Sequence, residues 1–205
     1  MPFYRRSAGS PAGHPLSRLL VLSGPSGVGK DTILREVRER HPGLYVSVSA
    51  TTRPPRPGEV DGRDYRFLSA AEFEEWIATD DLLEWACYVG NYYGTPKTPV
   101  LERLAVGEPV VLEIDVQGAL QVKNNFPAAM LVFIRPPSLE VLAERLRSRG
   151  TDAPEAIERR LARAREELAL ADRFDHQVVN DKLAAAVEAV ERLLFEEIPD
   201  EPAGG

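Results

Sequence analysis

With one cysteine in 205 residues, Cys87, the chain cannot form an internal disulfide. No set of cysteines and histidines has zinc-ligand spacing either, which argues against a structural metal and permits a reducing compartment. No apolar run approaches the roughly 18 residues that a membrane span requires. Positive charge is the minority sign: 25 Lys and Arg stand against 32 Asp and Glu, a net charge of −7. A general nucleic-acid binder carries the opposite balance. Internal repeats and low-complexity blocks are also missing. The stretch before Leu19 has Arg5 and Arg6 but neither an apolar segment nor a cleavage-site pattern, so residues 1–15 read as a flexible leader. The tail, 198–205, reads as disordered, and the cytoplasm follows as the expected location. What remains is an ordinary globular composition, 43% hydrophobic and 28% charged. The arginines are bunched: Arg53, Arg56, Arg63 and Arg66 form one group, and Arg145, Arg147, Arg149, Arg159, Arg160, Arg163 and Arg165 another. Local arginine clusters on an acidic chain point to small anionic ligands.

Strand and helix patterns alternate. Arg18 to Ser23 (RLLVLS) is a short apolar run, and Ile33, Leu34 and Val37 then recur at helical spacing as far as Arg40. Leu44 to Ser49 (LYVSVS) reads as a second strand, and the segment TTRPPRPGEVDG after it is too rich in proline and glycine for a helix. Ser69 to Glu72 is a capping box opening a helix toward Ile77. Pro109 to Asp115 and Met130 to Ile134 are strands with little alternation, the mark of a sheet covered on both faces. Ser138 opens a helix to Arg149, and Asp152 to Glu155 reads as a capping box for a helix to about Arg173. His176 to Asn180 is a last strand, before a helix from Leu183 to about Glu197. Alternation of this kind predicts a parallel sheet with ligands at the carboxyl ends of its strands.

The loop Gly24-Pro25-Ser26-Gly27-Val28-Gly29-Lys30-Asp31-Thr32 sits at such an end. It fits G-x-x-x-x-G-K-[ST], in which glycines let backbone N–H groups turn inward around phosphate oxygens and the lysine reaches the β- and γ-phosphates. The fit fails at Asp31, where the pattern asks for a magnesium-ligating hydroxyl. A carboxylate about 4 Å from a phosphate charge costs roughly 4 kcal/mol at an effective dielectric of 20, so something positive must stand between them. Asp31 then takes the hydroxyl's place on the Mg²⁺ side, directly or through a bound water, while Thr32 offers its hydroxyl to the α-phosphate. The alternative is that Asp31 favours the first helical turn electrostatically and touches no ligand.

Further motifs run from Ser49 to Phe67 (SATTRPPRPGEVDGRDYRF), then Glu84-Trp85, GNYYGT at Gly90 to Thr95, I-D-x-Q-G at Ile114 to Gly118 and R-G-T at Arg149 to Thr151. In this order they resemble the guanylate kinase family, over about Leu16 to Glu197. The resemblance implies an α/β, three-layer P-loop kinase fold with a central parallel sheet, an inserted mixed α+β GMP-binding subdomain and a helical lid. The boundaries it suggests are core 16–49, 96–136 and 166–197, GMP-binding subdomain 50–95 and lid 137–165. It further implies that ATP, with Mg²⁺, phosphorylates GMP, and dGMP with it, and that Ser49, Arg53, Arg56, Tyr65 and Tyr93 hold the acceptor phosphate. Glu84 and Thr95 would read guanine, Glu113 and Asp115 would lie near the ribose and the metal, and Asn180 near adenine. Arg145, Arg149 and Arg160 match the family's lid arginines, which with Lys30 serve the transferring phosphate; Arg147, Arg159, Arg163 and Arg165 are expected on exposed faces, paired with neighbouring glutamates. Two other functions compete. A scaffold of the same fold would bind phosphopeptides, but such domains resemble the enzyme after losing the nucleotide loop that is intact here. A P-loop kinase acting on a ribosyl phosphate would have no use for Glu84 and Thr95.

Overall fold

The computed structural model describes residues 18–148 and 153–196. The expectations for 1–15 and 198–205, for Arg149 and its R-G-T motif and for Asp152 fall outside them. Strands β1 (Leu19–Ser23), β2 (Tyr45–Val46), β7 (Val110–Glu113), β8 (Met130–Arg135) and β9 (His176–Val179) form one sheet in the order β2-β7-β1-β8-β9. Every pairing in it is parallel. The apolar runs lack alternation because both faces are covered, and successive residues simply choose different partners. Leu20 and Leu22 of β1 face α1 (Lys30–Arg40) and α7 (Leu183–Phe195), where Ile33, Val37, Val187 and Val190 complete one core. Leu19 and Val21 face the other way, onto α4 (Val116–Asn125), whose Val116, Ala119 and Val122 pack with Phe133 and Phe174 in a second core.

Between β2 and α3 (Lys97–Ala105) the chain builds a separate, mixed sheet in the order β4-β3-β6-β5, from β3 (Ala50–Thr51), β4 (Arg66–Phe67), β5 (Leu82–Tyr88) and β6 (Asn91–Pro96). The helix α2 (Ala70–Ala78) covers it, with Phe73 stacked on Tyr92 at 5.2 Å. The Ser69–Glu72 capping box is fully formed at its start. The helices α5 (Leu139–Ser148) and α6 (Pro154–Leu168) bury their apolar stripes against each other, through Leu142, Leu146, Ile157 and Leu161.

Three expectations are corrected. The strand expected over Leu44 to Ser49 is shorter: β2 pairs with β7 through Tyr45 and Val46 alone, and the next strand, β3 at Ala50–Thr51, belongs to the second sheet. Ser47 to Ser49 carry the chain from one sheet to the other, so no single ladder could hold all six residues. Helix α6 begins at Pro154 with Ala153 as its N-cap and no side-chain cap; proline at the first position removes a donor that a cap would otherwise serve. It stops at Leu168, and Ala171–Arg173 is a separate 3-10 turn. Among the described residues no helix is long and apolar enough to cross a membrane.

Candidate active site

A single cleft of about 1050 Å³ runs from the glycine loop, past the carboxyl ends of β1 and β7, to the exposed face of the second sheet. Its near end is the loop between β1 and α1. Gly24 has φ 140°, and a Cβ there would lie 2.3 Å from the carbonyl oxygen of Ile134, so any other residue would collide with β8. Gly24, Ser26, Gly27, Gly29, Lys30, Asp31 and Thr32 line the cleft. Pro25 and Val28 shape the loop instead: the Pro25 carbonyl accepts from Val28 N–H at 3.2 Å, and the Val28 side chain is buried. Asn180 lies behind the loop, donating from Nδ2 to the Val28 carbonyl at 2.8 Å. Arg145 reaches the same region, donating to the Asn180 carbonyl at 2.9 Å and the Val28 carbonyl at 3.4 Å. Both residues therefore brace the loop, and neither is among those that line the cleft.

Lys30 Nζ donates to the Gly24 carbonyl at 2.8 Å. Burial holds its pKa below the ordinary lysine value, opposed by the nearby carboxylates Glu113, Asp31, Glu167 and Asp115. Glu113, at the end of β7, is pushed up to about 8, by burial first and then by a side-chain hydrogen bond with Asp31 and the charge of that neighbour. Asp31 and Glu113 thus face each other across the mouth of the loop, both lining the cleft. Among the described residues no group of three or more His, Cys, Asp or Glu is arranged to hold a metal ion. Two touching carboxylates beside a phosphate loop nevertheless suit Mg²⁺, which takes one or two carboxylates and fills its remaining positions with phosphate oxygens and water. Asp115 is differently employed. It caps α4, accepting from Gly118 N–H at 2.9 Å, and its other oxygen takes Arg163 at 3.2 Å.

The far end is built on β5 and β6. Their connection is the two-residue turn Val89–Gly90, with φ 48° and 74°, the geometry that matches hairpin twist. Glu84, Ala86 and Tyr88 alternate along β5 and point into the cleft. Glu84 is 7% exposed, and Thr95 Oγ1 donates to its Oε1 at 2.7 Å. Burial raises the Glu84 pKa to about 7 against the lowering effect of that bond. Ser49, Tyr65 and Tyr93 line the same cleft, the two tyrosine rings meeting edge to face at 6.2 Å. Arg53 is turned aside: it forms a two-bond pair with Glu59 at 2.9 and 2.9 Å, its guanidinium over the Tyr65 ring at 5.4 Å. Arg56 is exposed, and its backbone N–H also donates to Glu59, at 2.7 Å.

From α6, Arg160 lines the cleft, and so do Arg163 and Glu167. Arg163 pairs with Glu167 at 2.9 Å as expected from the helical spacing, but the same guanidinium also reaches Asp115 and lies over the Tyr88 ring at 5.5 Å. Arg163, Glu167 and Tyr88 are among the cleft residues that sequence reasoning did not place there. The available signal was position: Arg160, Arg163 and Glu167 fall on one face of α6.

A family model described as guanylate kinase matches residues 16–197. The guanylate kinase of Nostoc sp. is 56% identical over 183 residues, covering 89% of this chain and 92% of that protein. That of Thermobifida fusca is 56% identical over 179 residues, with 84% and 91% covered. Among solved structures, the crystal structure of guanylate kinase from Anaplasma phagocytophilum aligns with a TM-score of 0.70 at 29% identity, over 88% of this chain and 85% of that one.

Proposed function

The chain belongs to the guanylate kinase family, and on that premise we propose how this cleft carries out the ATP-dependent phosphorylation of GMP to GDP. The observation that carries the reading is the shared cavity: a phosphate loop at one end and, at the other, a buried carboxylate held by a threonine hydroxyl. Glu84 accepts from guanine N1–H and the exocyclic amine together, and Thr95 fixes the carboxylate's orientation. Adenine presents no such pair of donors, so AMP would leave a buried charge unpaired. The deoxyribose of dGMP changes neither contact, and dGMP is included as a substrate.

Ser49, Tyr65 and Tyr93 supply donors to the GMP phosphate. Arg53 joins them by exchanging Glu59, whose carboxylate offers the same two-oxygen face as a phosphate, and Arg56 follows from the same loop. Lys30 leaves the Gly24 carbonyl for the β- and γ-phosphates of ATP, where the added negative charge offsets its burial. Arg160, with Arg149 beyond the described residues, neutralises charge on the transferring group, and Arg145 and Asn180 keep the loop in shape. Phosphoryl transfer asks little covalent work of a protein, so alignment and charge neutralisation do most of it. When bound, Mg²⁺ supplies further neutralisation between the phosphates; Asp31 and Glu113 would hold it, with Asp115 reserved for capping α4. Residues 50–95 act as the acceptor subdomain and 137–165 as the lid, closing to exclude water that would otherwise accept the phosphate. The setting proposed is the cytoplasm.

Two experiments test this. A coupled assay offering GMP, dGMP, AMP, CMP and UMP separately with ATP and Mg²⁺ should give turnover with the two guanine nucleotides, and with AMP a kcat/KM lower by about 10⁴ or more. Equal turnover with AMP would end the guanine assignment. Asp31→Ala, which leaves no side-chain oxygen for the metal, should raise the Mg²⁺ concentration for half-maximal rate by roughly tenfold or more, the usual cost of disturbing a metal's immediate surroundings. An unchanged requirement would return Asp31 to the role of a helix-terminal charge.

A further inference from the structure

Arg163 stands where three parts of the molecule meet. Its Nε donates to Glu167 Oε1 at 2.9 Å on its own helix, its terminal nitrogen to Asp115 Oδ2 at 3.2 Å, and the guanidinium lies 5.5 Å from the centre of the Tyr88 ring. Two of these neighbours, Asp115 and Tyr88, lead to the acceptor base. Asp115 Oδ1 takes the N–H of Gly118, and Glu84 lies against the bare Cα of Gly118, so closely that a Cβ there would be 2.8 Å from Oε2. Tyr88 shares a face of β5 with Glu84. The helix that carries Arg163 needs such ties, because α5 and α6 form an apolar cluster of their own, apart from the two that flank the main sheet. Three residues earlier on α6, Arg160 faces the cleft.

We propose that Arg163 is a positioning residue that clamps α6 onto Asp115 and Tyr88 at the acceptor-base end of the cleft, and so holds Arg160 where it faces the reacting phosphates. The inference rests on the reading that Glu84 receives the guanine of GMP. Its physical content is geometric. An ion pair whose members are 48% and 47% exposed contributes little to folding, whereas a displacement of about 1 Å in a group that aligns a reaction can cost about 10²-fold in rate. Arginine suits the task because one planar group can donate in two directions while lying on an aromatic face, which a lysine ammonium cannot do.

The test compares wild type, Arg163→Ala, Arg163→Lys, Tyr88→Ala and the Arg163→Ala/Tyr88→Ala double variant, reading kcat, KM for ATP and Tm. Arg163→Ala should lower kcat about tenfold, equivalent to about 1.4 kcal/mol on the barrier, with KM for ATP and Tm unchanged. Arg163→Lys should recover part of the loss through Asp115 alone. The double variant should be no slower than the worse single one, since both remove the same clamp. An unaltered kcat in Arg163→Ala, losses that multiply in the double variant, or a fall in Tm that tracks the fall in rate would each overturn the clamp. A wild-type enzyme that failed to phosphorylate GMP would instead overturn the reading on which it rests.

Discussion

Lys30→Met is expected to reduce kcat by about 10³ or more, because a cation aimed at a transferring phosphoryl group is worth roughly what other preorganised donors are worth in such sites. GMP affinity, measured by calorimetry without ATP, should be unchanged, since Lys30 belongs to the loop end of the cleft and none of the acceptor residues touches it. The loss of rate should not come with a loss of stability. Burial holds the Lys30 pKa below its ordinary value, so the folded protein carries this charge at a cost. Methionine removes that cost and keeps most of the volume, and Tm in the absence of nucleotide should hold or rise. A variant that lost rate and Tm together would show that Lys30 acts by supporting the loop through the Gly24 carbonyl.

Glu84→Gln carries the second large effect. The amide keeps one acceptor but presents an N–H where guanine also presents one, and kcat/KM for GMP should fall by roughly 10² to 10³, with the GMP preference over AMP shrinking by a similar factor. The wild type should also depend on pH in a way the variant does not. Burial keeps Glu84 neutral up to about 7, and only the ionised form accepts both guanine donors. For wild type, kcat/KM for GMP should therefore be flat above about 7 and fall as pH drops, approaching about tenfold per unit as the free enzyme becomes protonated. The same shift acts on folding with the opposite sense. A carboxyl whose folded pKa lies above the unfolded value of 4.5 contributes stability fully below that value, and the contribution is lost as pH rises through about 7. The Tm of empty wild type relative to Glu84→Gln should decline across that window. A Glu84→Gln enzyme with the wild-type pH profile would refute the assignment.

Much of the near end of the cleft was legible because glycines encode backbone geometry directly: Gly24 and its neighbours could only belong to a loop that bends around something. The acceptor end was legible through its ordered motifs, and Glu84 and Thr95 do meet in the fold. Other features left no trace at single positions. The β5–β6 turn places Val89 at φ 48°, where sequence rules look for asparagine or glycine, so the hairpin's own packing overrides the local preference. Asp115 was noticed as an acid at a strand end, but its bond to Gly118 N–H makes it the start of α4, and a helix cap and a ligand look alike in sequence. Leu44 to Ser49 shows the same limit: β-branched residues announce extended chain without saying which sheet receives it. Arg163 was expected to pair with a neighbouring glutamate, and Glu167 is one, but its second partner was out of reach of that reasoning, since Asp115 is 48 positions away.

Gly118 shows how these dependencies constrain the lineage of such a sequence. The place is closed to a methyl group by the Glu84 carboxylate carried on β5, the group proposed above to receive guanine. That contact ties position 118 to position 84. A homologue that gives up the glycine should also have given up guanine, and surveying such descendants would separate inherited architecture from retained chemistry.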